Sequence, residues 1–159
     1  MQAVIDRTEL IDIYAAGPDE VVDALVGATA EELDRRPAPG AWTAREVVHH
    51  LADSETNSYI RLRRMLAIES APLQAYDEAA WAAEPRLGYD GPIEPSLAVF
   101  QAVRVSSTAL LRRLTDTDFA RAGYHPEHET YTVQGWLEIY ADHAYVHAAQ
   151  IRRARRGEA

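Results

Sequence analysis

The sequence predicts an all-α protein folded as a four-helix up-down bundle. Apolar residues recur every three or four positions over four long stretches, the repeat of an amphipathic helix. We find no convincing alternating run bounded by hairpin turns, which a half-buried strand would show. Four long helices joined by one or two longer crossings fit an up-down bundle. The chain has 159 residues without internal repeats or low-complexity linkers, so we expect a single domain over 1–159.

The first long helix is predicted from about Arg7 to Thr29. We expect an interruption at Gly17-Pro18, because proline is compatible with the first position of a helix and can restart one there. Thr29 is then expected to cap a short helical turn of sequence AEELDRR, which ends before Pro37.

The second helix is predicted from Thr43 to about Glu69, a stretch without proline or glycine. Glu46 follows Thr43 by three residues, the spacing of a capping box. The connection from Ala71 to Pro95 then holds four of the eight prolines and one short helical candidate, YDEAAWAA. A connection of this length in a compact domain is usually functional or packed over a site.

The third helix is predicted from near Pro95-Ser96 through LAVFQAVRVSSTALLRRL, where Leu97, Phe100 and Leu111 follow the helical repeat. A second loop, TDTDFARAGYHPEHETY, precedes the last helix. That helix is predicted over 132–155.

The composition excludes several kinds of chemistry and of partner. The chain has no cysteine, which excludes thiolate metal ligands, cysteine nucleophiles and a disulfide framework. All sixteen basic residues are arginine, which excludes a lysine base and a Schiff base. A net charge of −9 disfavours nucleic-acid binding, because such proteins need a basic face for the phosphates. We therefore expect a small-molecule substrate and no nucleic-acid partner.

The sequence gives no sign of membrane association or of export. No run approaches 18 uncharged apolar residues, the length that a membrane-spanning helix needs. The opening, MQAVIDRTEL, lacks the basic start and the apolar stretch of a secretory signal. A cytoplasmic protein without a membrane partner is the expectation.

The six histidines carry most of the functional information. They fall into three groups: a doublet in the second helix, a pair in the loop before the last helix, and a pair in the last helix, namely His49, His50, His125, His128, His143 and His147. The last pair is four residues apart, so both imidazoles project from one helical face about one turn from each other, as they must to share a metal ion.

The doublet in the second helix can supply one further ligand. Adjacent side chains on a helix point about 100° apart, so at most one of His49 and His50 faces the bundle axis. The stripe through His50 also contains Ser54, Asn57 and Arg61, and it is unusually polar. Such a stripe indicates either an exposed face or a wet internal pocket, because unpaired polar groups are costly in a core.

Three histidines without a fourth protein ligand are typical of a catalytic metal site. Structural zinc sites normally have four protein ligands, whereas a catalytic site keeps one position open for water or substrate. Mg²⁺ and Ca²⁺ prefer oxygen ligands, so one Zn²⁺ or Ni²⁺ per chain fits a set of imidazoles best.

Other polar residues near these histidines are further candidates. Asp53 follows His50 by three residues and can orient an imidazole or act as a base, and Glu46 in the polar stripe is a second catalytic candidate. Glu138 and Asp142 flank the pair in the last helix but are displaced from its face, so we expect them in solvent. The loop histidines, at 125 and 128, either reach the mouth of the site or are exposed.

Four separated segments of the chain resemble the DinB-like superfamily, most closely its YfiT-like branch of putative metal-dependent hydrolases. They are, in order, AWTAREVVHHLADSETNSYIRLRRML, YDEAAWAAEP, YHPE and YADHAYVHAAQI, and the likeness spans roughly 39–152. The resemblance implies a four-helix bundle, a three-histidine Ni²⁺ or Zn²⁺ site and, often, a homodimer.

The resemblance also implies which histidines are ligands. The first ligand of the family is the histidine directly before leucine in an HL step, which corresponds to His50 rather than His49. The other two correspond to His143 and His147, ahead of AAQI. Relatives resemble a denser histidine run between these two, where this chain has AYV at 144–146, so an auxiliary histidine for proton transfer is not expected here.

Members of the family resemble metal-dependent thiol S-transferases, or isomerases that use a low-molecular-weight thiol such as bacillithiol or mycothiol, and others are named as hydrolases. The leading hypothesis is therefore a metal site that activates a thiol for S-transfer to a small electrophile. The alternative is a hydrolase that uses water on the metal. A further alternative is a metal-binding stress-response protein without catalysis.

Overall fold

The computed structural model describes residues 6–159, so the first five residues of the opening considered above lie outside it. Four long helices in this range are joined by segments that contain short helices and short strands. The helices are α1 (Arg7–Leu25), α2 (Ala30–Asp34), α3 (Ala44–Ala67), α4 (Glu78–Ala83), α5 (Glu94–Leu111), α6 (Asp116–Phe119) and α7 (Val133–Arg156), with a 3₁₀ turn at Pro85–Leu87. The strands are β1 (Ala71–Pro72), β2 (Ala122–His125) and β3 (Glu129–Thr132).

The four long helices α1, α3, α5 and α7 form a bundle, which confirms the predicted four-helix architecture. The main helix contacts are α1 with α7, α7 with α3, α3 with α5, and α5 with α1. The successive long helices α1 and α3 therefore lie across the bundle from each other. This order brings α3 and α7, which carry the predicted ligands, into direct contact. None of the helices in residues 6–159 combines the length and hydropathy of a membrane span.

The prediction of a break at Gly17-Pro18 is wrong, because α1 continues through both residues and ends at Leu25. Proline inside a helix removes one backbone hydrogen bond and usually kinks or breaks the helix. Here the buried face of α1 continues on both sides of the proline, with Tyr14 and Val21 fully buried, and this packing outweighs the local cost. Gly17 permits the close approach of α7, since an added Cβ would lie 2.7 Å from the Cβ of Ala144.

Both predicted helix starts carry the expected caps. The hydroxyl of Thr43 accepts a hydrogen bond from the Glu46 backbone N–H, and the Glu46 carboxylate accepts one from the Thr43 backbone N–H. Thr29 and Glu32 form the same capping box at α2. The cap at Thr43 fixes where α3 begins and therefore the angular position of the histidine doublet.

The loop before α7 contains a β-hairpin, so the prediction that the chain lacks strands is wrong in this segment. β2 pairs antiparallel with β3, and β1 pairs parallel with β2. Strands of two and four residues are too short to show an alternating pattern in the sequence. The pairing of β1 with β2 joins distant segments, and there Gly123 packs directly against the carbonyl oxygen of Ala71. The hairpin places His125 inside the protein.

A polar layer crosses the bundle between two apolar clusters. One cluster gathers around Trp136 and the other around Phe100 and Ile151. The buried polar side chains of the middle of α3 and α5 lie between them, namely Ser54, Glu55, Asn57, Ser58, Arg104 and Ser107. Buried polar groups need partners, so this layer is where the fold holds its specific interactions.

Candidate metal centre

The structure brings His50, His143 and His147 together. Each offers a ring nitrogen, and these atoms lie within 4.8 Å of one another. The ring centroids of His143 and His147 are 4.5 Å apart, and that of His50 is 4.8 Å from His147. One turn of α7 therefore faces one position of α3, as the spacing of the histidines predicts.

His49 does not join this group. Its Nδ1 lies 2.8 Å from the hydroxyl of Ser96, and its Nε2 lies 3.3 Å from the carbonyl oxygen of Gly91. These partners belong to the start of α5 and the segment before it. The two members of the doublet point in different directions, and only His50 reaches α7.

Two of the three imidazoles are neutral at pH 7. Burial, reinforced by the neighbouring histidines, lowers the pKa of His50 to about 3. Burial and the proximity of His143 lower the pKa of His147 to about 4. A metal ligand must be an unprotonated imidazole, so these side chains are in the state that metal binding requires.

The imidazoles of α7 are oriented by neighbouring side chains. The Nδ1–H of His147 donates to the amide oxygen of Gln150 at 2.8 Å, which leaves its Nε2 as the acceptor nitrogen. The Nδ1 of His143 lies 3.5 Å from the Oε1 of Glu55. The hydrogen bond to Gln150 fixes the tautomer of His147, whereas the Glu55 carboxylate acts on His143 through its charge and not through a hydrogen bond.

Glu55 is held in turn by a buried ion pair, which the sequence analysis missed. Its Oε1 lies 2.5 Å from Nη2 of Arg104, and both side chains are fully buried. Arg104 also donates from Nη1 to the carbonyl oxygen of Tyr14. A sequence signal exists, because Arg104 falls on the apolar repeat of α5, where a charged residue needs a buried partner.

The connection between α3 and α5 packs over the histidines, as its length predicts. The hydroxyl of Tyr76 lies 3.4 Å from Nδ1 of His50, and Oε2 of Glu78 lies 3.8 Å from the same atom. The ring of Trp42, from the loop before α3, lies 4.8 Å from that of His50. These contacts cover His50 so that only 2% of it is exposed.

Two cavities flank the three histidines. The larger has a volume of about 700 Å³ and is lined by residues that include Ser54, Tyr76, Tyr140 and His143. The smaller, of about 350 Å³, is lined by residues that include Trp42, His147 and Gln150. Glu78 lines both cavities. A small molecule can therefore approach the histidines from either side of Glu78.

The acidic candidates bond elsewhere. The Glu46 carboxylate caps α3 and pairs with Arg36 at 2.7 Å. The Asp53 carboxylate accepts a hydrogen bond from Tyr89 at 2.8 Å. Glu138 and Asp142 are exposed, as expected. The structure therefore places neither catalytic candidate of the sequence analysis in hydrogen-bond contact with the three histidines.

The loop histidines differ from each other. His125 is buried and lines the larger cavity with Arg61, whereas His128 is exposed at the rim. Both, together with Glu127, offer ligand atoms within 4.8 Å of one another. The sequence left open whether these histidines reach the mouth of the site or are exposed. The structure shows that the loop reaches the mouth, since both histidines line the larger cavity.

Comparison with known proteins agrees with this architecture. A family model described as the DinB superfamily matches residues 13–151. A protein of Bacillus subtilis named "Putative metal-dependent hydrolase YfiT" is 39% identical over 151 residues, covering 94% of this chain and 84% of that protein. A protein of Oceanobacillus iheyensis, also named a "putative metal-dependent hydrolase", is 37% identical over 134 residues, covering 84% and 77%.

A solved structure shows the same fold. The structure of YfiT from Bacillus subtilis superposes with a TM-score of 0.87 and 36% identity, covering 98% of this chain and 91% of that chain. That protein is described as "a probable metal-dependent hydrolase with an unusual four-helix bundle topology". The crossed order of the long helices in the present structure is consistent with those words.

Proposed function

The chain belongs to the DinB superfamily, and from this premise we propose that it is a metal-dependent enzyme with one divalent ion held by His50, His143 and His147. The observation that carries the proposal is the convergence of three imidazoles from two helices on one point, with His50 buried and the α7 pair partly buried. The names of its relatives, metal-dependent hydrolases, support the same reading.

The donor set fits a borderline metal ion. Three imidazoles suit Zn²⁺ or Ni²⁺, and they leave room for one or two further ligands. The hydrogen bond from Nδ1 of His147 to Gln150 leaves Nε2 of that ring free to bind a metal ion. The Glu55 carboxylate lies 3.5 Å from Nδ1 of His143 and puts a negative charge beside that ring. Metal-binding histidines normally have outer partners of this kind.

Bound in such a site, a divalent ion lowers the pKa of a coordinated water or thiol toward neutrality and stabilises negative charge on a substrate oxygen. The protein contributes position and exclusion of bulk water. Tyr76 and Trp42 close over His50, and the larger cavity leaves space for a substrate beside His143. The Glu78 carboxylate, which lines both cavities, is placed to accept the proton of the nucleophile.

The proposed reaction is hydrolysis of a small electrophile, and thiol S-transfer is the second candidate. Thiol S-transfer is supported by the fact that two acidic side chains of α3 near the histidines already have partners. Glu55 pairs with Arg104, and Asp53 accepts from Tyr89, which leaves the exposed Glu78 as the available base. A thiol loses its proton on binding a metal and depends less on such a base than water does.

One experiment separates these two reactions. The zinc-loaded protein is incubated with a panel of carboxylic esters and with monochlorobimane, each with and without bacillithiol or mycothiol. A hydrolase releases acid from an ester without a thiol, whereas a transferase forms a bimane thioether only with one. The variant His147→Ala should lose metal and either activity, and full activity of that variant without metal would overturn the mechanism.

A further inference from the structure

The larger cavity ends at a second polar group that the proposed metal chemistry does not use. Arg61, on the same face of α3 as Ser54, is 8% exposed and lines this cavity. Its Nε donates to the carbonyl oxygen of Gln74 at 2.9 Å. Its two Nη atoms make no hydrogen bond, and its charge has no ion pair, with any side chain that the structure describes. A nearly buried guanidinium with free donors is costly unless it meets an anion.

His125 presents a second unused donor at the same end of the cavity. Its Nδ1 accepts a hydrogen bond from the backbone N–H of Glu127 at 3.2 Å, so the proton of the neutral ring is on Nε2. That Nε2 is buried and has no partner within the described part of the chain. Arg61 and His125 therefore both offer N–H groups and no acceptor to whatever enters.

The acidic side chains of this cavity lie at its rim. Asp77, Glu78 and Glu127 line it but are exposed. The carboxylate of Asp77 already caps α4 by accepting from the backbone N–H of Ala80. The buried wall is therefore cationic and the mouth is anionic, an arrangement that suits one negative group at the inner end and disfavours a polyanion.

The distance from this wall to the histidines sets the size of the ligand. Ser54 lies 3.4 Å from Nε2 of His143, and Arg61 is seven residues further along α3. Seven residues of α-helix span about 10 Å. A cavity of about 700 Å³ holds a molecule of that length.

We propose that the larger cavity binds a substrate or cosubstrate carboxylate on Arg61 and His125, with the reacting atom of that molecule about 10 Å away at the three histidines. The planar guanidinium matches a carboxylate with two parallel hydrogen bonds, and His125 supplies a third. This assignment rests on the proposed function for the reacting end alone. The carboxylate end depends on Arg61 and not on the metal.

The test compares 6-mercaptohexanoate with its neutral amide, 6-mercaptohexanamide, by calorimetric titration of the zinc-loaded protein. The wild type should bind the carboxylate at least about tenfold tighter than the amide, since hydrogen bonds between charged groups distinguish an acid from an amide to this degree. In Arg61→Gln the preference should fall to within about twofold. Arg61→Lys, which keeps the charge but not the planar fork, should retain an intermediate preference.

Arg63→Gln is the matched control, because Arg63 stacks on Tyr59 and donates to Ser106, away from the cavity. It should keep the full preference for the carboxylate. Equal affinity for acid and amide in the wild type would overturn the proposal, and so would a preference that Arg61→Gln leaves intact. Tighter binding of hexyl phosphate than of hexanoate would overturn the assignment to a carboxylate.

His147→Gln separates this proposal from the proposed function. If both hold, that variant loses the contribution of the thiol but keeps the preference for the acid over the amide. If zinc and His147 make no difference to thiol binding while the preference persists, the metal mechanism fails and the carboxylate site stands. If the preference disappears with His147, the carboxylate binds at the histidines and the role of Arg61 is overturned.

Discussion

Glu55 connects the candidate metal centre to the core, because its Oε1 lies 3.5 Å from Nδ1 of His143 and 2.5 Å from Nη2 of Arg104. The carboxylate is fully buried. Burial favours its neutral form, but the positive charge of Arg104 and the contact with His143 outweigh it, so the pKa of Glu55 lies below its usual value. The ionised carboxylate therefore puts a negative charge beside the imidazole of His143, where it favours a bound cation.

Replacing this carboxylate should weaken metal binding without removing a ligand. Glu55→Gln keeps the shape of the side chain but removes its charge, and loss of such an outer partner typically reduces metal affinity by about 10- to 100-fold. Competition with a zinc chelator measures the affinity. Glu138→Gln, an exposed substitution on α7, is the control and should leave the affinity unchanged. Equal affinity of Glu55→Gln and wild type would contradict the role of Glu55.

Removing Arg104 should destabilise the fold strongly. Arg104→Met leaves Glu55 buried without its partner, and breaking a buried pair in this way costs about 3 to 5 kcal/mol in the free energy of unfolding. The matched control is Arg112→Met at the end of α5, where the exposed pair with Asp12 is expected to contribute at most about 1 kcal/mol. Urea denaturation followed by circular dichroism compares the two. Similar losses in both variants would show that burial of the pair has no special effect.

Gly17 and Gly135 should respond to alanine in opposite directions. Alanine normally stabilises a helix by about 0.5 to 1 kcal/mol relative to glycine, and the nearest atom to an added Cβ at Gly135 is 3.4 Å away. At Gly17 the added Cβ would lie 2.7 Å from the Cβ of Ala144, so Gly17→Ala should destabilise the protein by about 1 to 3 kcal/mol. Thermal unfolding of both variants tests this. A stabilised Gly17→Ala variant would refute the close approach of α1 and α7.

The metal-free protein should lose stability as the pH falls below about 6.5, the ordinary pKa of histidine. His50 and His147 titrate in the unfolded chain near that value but only at about 3 and about 4 in the fold. Between these limits the unfolded chain binds more protons, so the free energy of unfolding rises with pH and falls on acidification.

The contribution of one of these histidines can be isolated by substitution. His147→Gln should reduce the slope of the unfolding free energy between pH 5 and 6 by up to about 1.4 kcal/mol per pH unit, which corresponds to one proton. Urea denaturation in the presence of a chelator measures the slope. Val146→Ala, an exposed substitution beside His147 that removes no titrating group, is the control and should keep the wild-type slope. An unchanged slope in His147→Gln would mean that the fold does not hold His147 neutral.

The long helices could be predicted because their signals are local. The capping box of Thr43 and Glu46 and the apolar repeats lie within single segments, and the structure reproduces them. The continuity of α1 could not be predicted, because it depends on Gly17 meeting Ala144 on α7. The pairing of β1 with β2 depends in the same way on Gly123 packing against Ala71. Contacts between distant segments outweighed the local preference in both places.

The three histidines could be found from their spacing and their resemblance to a family, but their surroundings could not. Nothing local in the sequence joins Glu55 to Arg104, which are 49 residues apart. The polar stripe of α3 indicated either an exposed face or an internal pocket. The structure shows an internal pocket, since Ser54 and Arg61 are buried. The homodimer, the cytoplasmic location and the identity of the metal and thiol stay predictions.

The metal content of the purified protein, measured beside that of His50→Gln and His49→Gln, tests the three-histidine site most directly. The two adjacent histidines differ, because only His50 reaches the α7 pair, while His49 bonds to Ser96 and Gly91. We expect one zinc or nickel ion per chain in the wild type and in His49→Gln, with an anomalous scattering peak between the three histidines, and little metal in His50→Gln. Full metal content in His50→Gln, or loss of metal in a folded His49→Gln, would show that these three histidines do not hold the ion.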